Sequence, residues 1–138
     1  MIGGGPVCWQ SKRQKSGSTS TAEAEYIALR EAAKKAVWVK RLLEKLHVAD
    51  SFVSKDGILT YTDNQSALAM AKGTNSSKTK HVDVSYHYVR GCVQEGEINL
   101  NYIRTNHMLA DILTKPLSRQ KAEPISRRIF NQWLSLAI

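Results

Sequence analysis

Three carboxylates stand where predicted helices and strands begin or end. Glu25 lies in the first turns of a predicted long helix, Asp63 follows a predicted strand, and Asp111 lies on a predicted short helix. Ligands of open α/β sheets collect at the carboxyl ends of strands, which makes Asp63 the most informative of the three. Carboxylates gathered there suit Mg²⁺ and two-metal phosphodiester hydrolysis. From spacing alone, ordinary surface acids in caps and turns are the simpler explanation.

Basic residues are in excess, and they lie mainly towards the two ends of the chain. The 138 residues include 20 Lys+Arg against 12 Asp+Glu, a formal net charge of +8. Residues 1–47 carry nine basic and four acidic side chains, and residues 101–138 carry six and two. Residues 48–100 are nearly neutral, with five and six. This distribution indicates a polyanionic partner, most simply nucleic acid.

Several classes of protein are excluded by composition. No apolar run approaches the roughly 20 residues that cross a bilayer. Two cysteines, Cys8 and Cys92, are too few for a disulfide framework or a zinc knuckle, and neither has the neighbours of a thiol nucleophile. We therefore expect an intracellular protein, cytoplasmic or nuclear, with no membrane partner.

Hydrophobic periodicity predicts an α/β domain. A capping box at Ser20 and Glu23 opens a helix that runs to about His47. The residues of this helix that are expected to lie in the hydrophobic core of the domain are Tyr26, Leu29, Ala33, Ala36, Val37, Trp38, Leu43 and Leu46. Strands are predicted at 6–11, 58–62 and 98–102. Further helices are predicted at 65–72, 81–94, 106–114 and about 119–136, the last with Ile125, Ile129, Trp133 and Leu136 on one face.

Five sequence blocks resemble the ribonuclease H domain of copia-type LTR retrotransposon polyproteins. They are W-Q-S-K-R-Q at 9–14, S-T-S-T-A-E-A-E-Y-I-A-L at 18–29, Y-T-D-N-Q-S-A at 61–67, K-T-K-H-V-D at 78–83 with Y-H at 86–87, and L-A-D-I-L-T-K-P-L at 109–117. The blocks occur in the family's order and span about residues 6–120. The resemblance implies one domain over 1–138, from the C-terminal end of such a polyprotein, with the last helix outside the pattern.

The resemblance also implies a fold and a reaction. The family has a mixed sheet flanked by helices, and four carboxylates hold two Mg²⁺ ions that hydrolyse the RNA strand of an RNA–DNA hybrid. Glu25, Asp63 and Asp111 match the second, third and fourth carboxylates. The first, an Asp in a block resembling Y-S-D-A-D-W, has no counterpart here. We therefore expect a ribonuclease H-like sheet that lacks the first strand and most or all of the second, weak Mg²⁺ binding, and no cleavage by this chain alone.

The basic residues of these blocks are expected to contact an RNA–DNA hybrid or duplex. They are Lys12, Arg13, Lys15, Lys78, Lys80 and His81. For the first three, a solvated loop is the alternative. His107 is expected to share a helix face with Asp111. The reverse transcriptase portion of the same polyprotein is a further expected partner. Two other readings stay open: a non-catalytic nucleic-acid-binding remnant, and an active nuclease completed by an upstream or partner strand.

Overall fold

The computed structural model describes residues 6–14, 18, 20–73 and 83–130, with the backbone alone at 83–86. These residues fall into two compact units. The first unit comprises Gln14–Ile103, and the second combines the residues up to Arg13 with those from Arg104 onward. None of the described helices is long and apolar enough to cross a bilayer.

The first unit is an α/β arrangement, as predicted. Its elements in chain order are α1 (Thr21–Lys45), a 3-10 turn (Ala49–Ser51), β1 (Ile58–Thr62), α2 (Gln65–Ala71), α3 (Asp83–Gln94) and β2 (Ile98–Tyr102). The described part of the second unit contains two 3-10 turns, Thr105–His107 and Leu109–Leu113, followed by α4 (Arg119–Phe130). The α/β class and both strands at 58–62 and 98–102 are confirmed, and the ribonuclease H-like architecture stays a prediction.

Helix α1 begins where the capping pattern predicts. The Ser20 hydroxyl accepts a hydrogen bond from the Glu23 amide at 3.1 Å, which satisfies one of the free donors at the helix start. One face of the helix is buried along its length by residues at helical spacing. These residues are Tyr26, Leu29, Ala33, Val37 and Leu43. The α1 helix thus supplies one side of the hydrophobic core.

The sheet is a parallel pair in register, with Ile58 opposite Ile98 and Thr62 opposite Tyr102. Parallel strands need a crossover connection, which here contains α2 and α3. Residues opposite each other in this register share a face of the sheet. One face, which includes Ile98 and Leu100, is buried in the core cluster with side chains from all three helices. On the other face Leu59 and Tyr61 are exposed.

Three sequence predictions of burial and pairing are wrong. Residues 6–11 form no strand, because no described strand pairs with them to complete a ladder, and Trp9 is 71% exposed. Trp38 and Leu46 are 54% and 59% exposed, because Trp38 lies outside the buried face of α1 and Leu46 is the C-cap that follows the helix. The α1 helix is apolar on more than one face, and periodicity alone did not distinguish the face that packs.

The helical segment predicted at 106–114 is also different. It consists of two 3-10 turns separated at Met108, whose ψ of 104° is extended. His107 and Asp111 therefore do not share a continuous helix face. The sequence prediction that they share one is wrong. The helix predicted at 81–94 is described from Asp83, and the last helix is described to Phe130. Trp133 and Leu136 lie outside the described residues.

Gly57 permits a close backbone approach at the start of the sheet. Its φ is +92°, and a Cβ at this position would lie 2.7 Å from the Glu97 carbonyl oxygen. We expect Gly57→Ala to lower the free energy of unfolding by about 2–5 kcal/mol, the sum of left-handed strain and overpacking. Gly91→Ala is the control, because it lies in α3 with no atom within 4 Å of an added Cβ. It should raise stability by about 0.5–1 kcal/mol. Urea unfolding followed by circular dichroism measures both, and equal effects would contradict the packing described.

Candidate active site

Asp63 lies directly after β1, at the carboxyl edge of the parallel pair, and the backbone on both sides of it is held. The Asn64 amide donates to the Thr62 hydroxyl at 3.2 Å. The Asn64 side chain in turn accepts from the Ala67 amide at 2.9 Å, which caps α2. The Ile103 amide donates to the Thr62 carbonyl at 3.0 Å and extends the ladder beyond β2. These bonds fix the point from which the Asp63 side chain leaves the sheet.

The Asp63 carboxylate is half-buried. Within the described part of the chain it makes no hydrogen bond or ion pair, so no described cation neutralises it. A carboxylate of this kind at a strand end retains its full capacity to accept hydrogen bonds or bind a hard cation.

Glu25 lies on the second turn of α1 and is exposed. It belongs to the same unit as Asp63, and α1 packs against both β1 and α2, the elements on either side of Asp63. The Gln14 side chain donates to the Ala24 carbonyl at 2.8 Å and fastens the preceding loop to the start of α1. The helix on which Glu25 lies is therefore packed directly against the strand that precedes Asp63.

Asp111 belongs to the second unit and has a different environment. It is buried, with 8% of its surface exposed, on the 3-10 turn 109–113. Its Oδ1 lies 2.7 Å from the Nζ of Lys115 in an ion pair. Lys115 was not predicted as a partner of Asp111, although its spacing of four residues from Asp111 was the available signal.

The described residues contain no group of three His, Cys, Asp or Glu side chains placed to hold a metal ion. Glu25 and Asp63 lie in one unit and Asp111 in the other. The convergence of the three carboxylates stays a prediction. Of the residues expected to contact nucleic acid, Lys12 and Arg13 are exposed. Lys15, Lys78, Lys80 and His81 lie outside the described residues.

The Cys92 thiol is buried in the core, with 6% exposed. Burial raises the pKa of Cys92, against the opposing effect of a hydrogen bond with Tyr88. Burial and the same hydrogen bond also raise the pKa of the Tyr88 hydroxyl. The thiol is therefore protonated at neutral pH, which disfavours a role as nucleophile.

Sequence comparison identifies relatives over most of this chain. It is 40% identical over 121 residues, 87% of its length, to a retrovirus-related Pol polyprotein from transposon TNT 1-94 of Nicotiana tabacum. It is 35% identical over 129 residues, 93% of its length, to the Pol polyprotein from transposon RE2 of Arabidopsis thaliana. The corresponding protein from transposon RE1 is 33% identical over the same length. Its homologues are retrovirus-related Pol polyproteins of plant transposons.

The matched region is a small part of these relatives. It covers 9% of the TNT 1-94 and RE2 polyproteins and 8% of the RE1 polyprotein. No protein-family model and no solved structure matches the chain. The relationship to retrotransposon polyproteins is confirmed, and the copia type and the ribonuclease H assignment stay predictions.

The raised pKa values predict a loss of stability in alkali. A group whose pKa is higher in the folded state stabilises it below the ordinary pKa and loses that contribution as pH rises. The ordinary values are 9.0 for Cys92 and 10.0 for Tyr88. We expect the free energy of unfolding to fall above about pH 9, with a shallower slope in Cys92→Ala. Cys8→Ala, at an exposed thiol, should keep the wild-type slope. Parallel urea titrations test this, and identical slopes in all three proteins would contradict it.

The Asp111–Lys115 pair predicts competition between the lysine and a metal ion. Lys115→Met should raise the affinity of Asp111 for Mg²⁺ about two- to fivefold, the effect of a half-exposed ion pair worth up to about 1 kcal/mol. NMR titration of the Asp111 amide with Mg²⁺ measures this. Asp111→Asn in the same background should abolish the response. Lys121→Met, at an exposed lysine of the same unit, is the charge-matched control. Equal affinity in Lys115→Met and wild type would exclude competition.

Proposed function

We propose that this chain is a copia-type ribonuclease H-like domain of a retroelement polyprotein, which as a separate 138-residue chain binds RNA–DNA hybrid without cleaving it. The observation that carries this proposal is the position of Asp63. It follows β1 at the carboxyl edge of a parallel pair and has no neutralising partner among the described residues, and β1 packs against the helix that bears Glu25. Open α/β sheets bind their ligands at such an edge.

The donor chemistry at this edge fits Mg²⁺, which takes oxygen ligands and uses one or two carboxylates together with water and substrate phosphates. Asp63 and Glu25, both of the first unit, would hold it. When bound, the ion polarises the phosphate and lowers the pKa of water. The hydrogen bonds at Thr62 and Asn64 restrict the direction of Asp63 before any ion arrives. Such restriction supports catalysis, because errors of about 1 Å in position can cost a hundredfold in rate.

Lys115 has a role in the same scheme. It lies 2.7 Å from the buried Asp111 carboxylate and compensates its charge inside the second unit. A buried carboxylate without such a partner would leave an uncompensated charge inside the unit, which is strongly destabilising. Lys115 therefore stabilises the Asp111 turn, and it would compete with a cation for the same oxygen.

The lack of cleavage follows from the carboxylates that this chain contains. The first Asp in the sequence is Asp50, which comes after α1. No Asp precedes α1 that could serve as the first family carboxylate, and two metal ions about 4 Å apart need several fixed negative charges. Among the described residues β1 pairs only with β2, so the other edge of β1 is open to a further strand. This edge favours a second candidate function, an active nuclease completed by an upstream or partner strand.

Nucleic acid is the proposed ligand in both cases. The net charge of +8 and the exposed Lys12 and Arg13 support it. The remainder of a polyprotein like those of the relatives, including its reverse transcriptase portion, is the proposed protein partner. The proposed location of such a domain is the cytoplasm or the nucleus.

Cleavage assays separate these functions. We expect no Mg²⁺-dependent cutting of a labelled RNA–DNA hybrid by the 138-residue chain. Fusing two family strands with their Asp to the N-terminus should restore cutting, and Asp63→Asn in the fusion should reduce it by at least about a hundredfold. Asp56→Asn, at an exposed carboxylate in the loop before β1, is the matched control and should leave the rate unchanged.

Two results would contradict the proposal. One is robust cutting by the 138-residue chain that Asp63→Asn removes, which would establish an active nuclease. The other is a fusion that folds and binds the hybrid but still does not cut, which would contradict the ribonuclease H-like assignment and leave only the binding of nucleic acid.

A further inference from the structure

Basic residues predominate in the second unit, and its described acids are already paired. Residues 104–130 contain six Lys+Arg but only Asp111 and Glu123 as acids. Asp111 is bound to Lys115 at 2.7 Å. Glu123 lies between two arginines of α4, at 2.7 Å from Arg127 and 3.8 Å from Arg119. The remaining positive charge of this unit has no acidic partner in the described part of the chain.

Helix α4 displays that charge over its solvent-facing surface. Ile125 is buried and its neighbours Ala122 and Ile129 are partly buried, so this apolar face is the one that packs. The basic side chains occupy the rest of the helix and are exposed; they are Arg119, Lys121, Arg127 and Arg128. At 1.5 Å per residue, they extend over about 14 Å of the helix axis.

The spacing on the helix gives two basic ridges. Arg119, Glu123 and Arg127 follow one another at intervals of four residues and form one ridge. Lys121 and Arg128 are seven residues apart, about two turns, and form the other. Glu123 reduces the charge of the first ridge, whereas the second contains no acid.

The composition of the surface identifies the class of partner. Phe130 is the one large hydrophobic residue of α4 that is strongly exposed in the described structure. Protein interfaces usually need a cluster of buried apolar or aromatic anchors, which this surface lacks. A partner recognised by charge alone, over the length of a helix, is typical of a phosphate backbone.

We propose that α4 binds the phosphate backbone of a nucleic-acid duplex through Arg119, Lys121, Arg127 and Arg128. These residues lie outside the sequence blocks that carry the family resemblance. The inference rests on the proposed function, because the ligand is the same RNA–DNA hybrid. Glu123 opposes the approach of phosphate to the first ridge, so its removal should strengthen binding.

Fluorescence anisotropy with a labelled RNA–DNA hybrid tests this at several salt concentrations. The double variant Lys121→Gln/Arg128→Gln should lower affinity about tenfold at low salt and reduce the slope of log affinity against log salt by about 1.8. Glu123→Gln should raise affinity about threefold and steepen the slope by up to about 0.9. The control is Lys45→Gln/Lys55→Gln, with the same charge change at exposed lysines of the first unit. It should retain most of the wild-type affinity.

The sign of the Glu123→Gln effect separates phosphate contact from a structural role. Glu123 stabilises α4 through two ion pairs, so a merely structural role predicts a lower melting temperature and weaker or unchanged binding. Tighter binding of the hybrid despite a lower melting temperature supports the inference. Circular dichroism melts of every variant identify any that fail to fold, and Arg119→Gln then replaces the double variant as the test of charge removal.

The outcomes distinguish this inference from the proposed function. If wild type binds the hybrid and Lys12→Ala/Arg13→Ala weakens it while the α4 variants behave as wild type, the α4 surface is excluded and the proposed function stands. If wild type binds no hybrid at low salt, the proposed function fails as well. Binding of a polyglutamate peptide as tightly as the hybrid would overturn the assignment in favour of an acidic protein.

Discussion

The in-register parallel pairing of β1 with β2 is the constraint on which the rest of the first unit depends. The ladder begins with the Ile58 amide donating to the Glu97 carbonyl at 3.1 Å and ends with the Ile103 amide donating to Thr62 at 3.0 Å. Parallel strands cannot be joined by a tight turn, so the chain must cross over between them. That crossover contains α2 and α3, and both pack with α1 into one core. The turn after β1 consequently places Asp63 at the carboxyl edge.

The two faces of this sheet differ because only one is covered within the unit. The helix-facing side buries Ile98 and Leu100 almost completely. The other side carries Leu59 and Tyr61, which are exposed, beside two asparagines of β2 that bond to each other at 3.0 Å. Exposed apolar side chains that are neighbours on one face of a sheet form a surface that can pack against further protein.

The charged side chains are paired differently in the two units. Near β1, Asp63 has no cationic partner among the described residues. Lys40 pairs with Glu97 at 2.8 Å and connects α1 to the start of β2. In the second unit both described acids are neutralised by lysine or arginine. The first unit thus keeps a carboxylate without a cationic partner among the described residues, and the described part of the second unit keeps basic side chains without an acidic partner.

The sequence by itself determined the local elements and the candidate residues. Caps at Ser20 and the alternation in 58–62 and 98–102 depend on backbone chemistry within a few residues, so they predicted α1 and both strands correctly. Tertiary structure decided pairing and burial. Residues 6–11 have strand propensity but pair with no described strand, and a strand exists only through a ladder. Trp38 and Leu46 continue the apolar pattern of α1 but lie outside its buried face. Asp111 could be recognised from its motif, whereas its burial against Lys115 depends on how the chain folds around it, which no periodicity records.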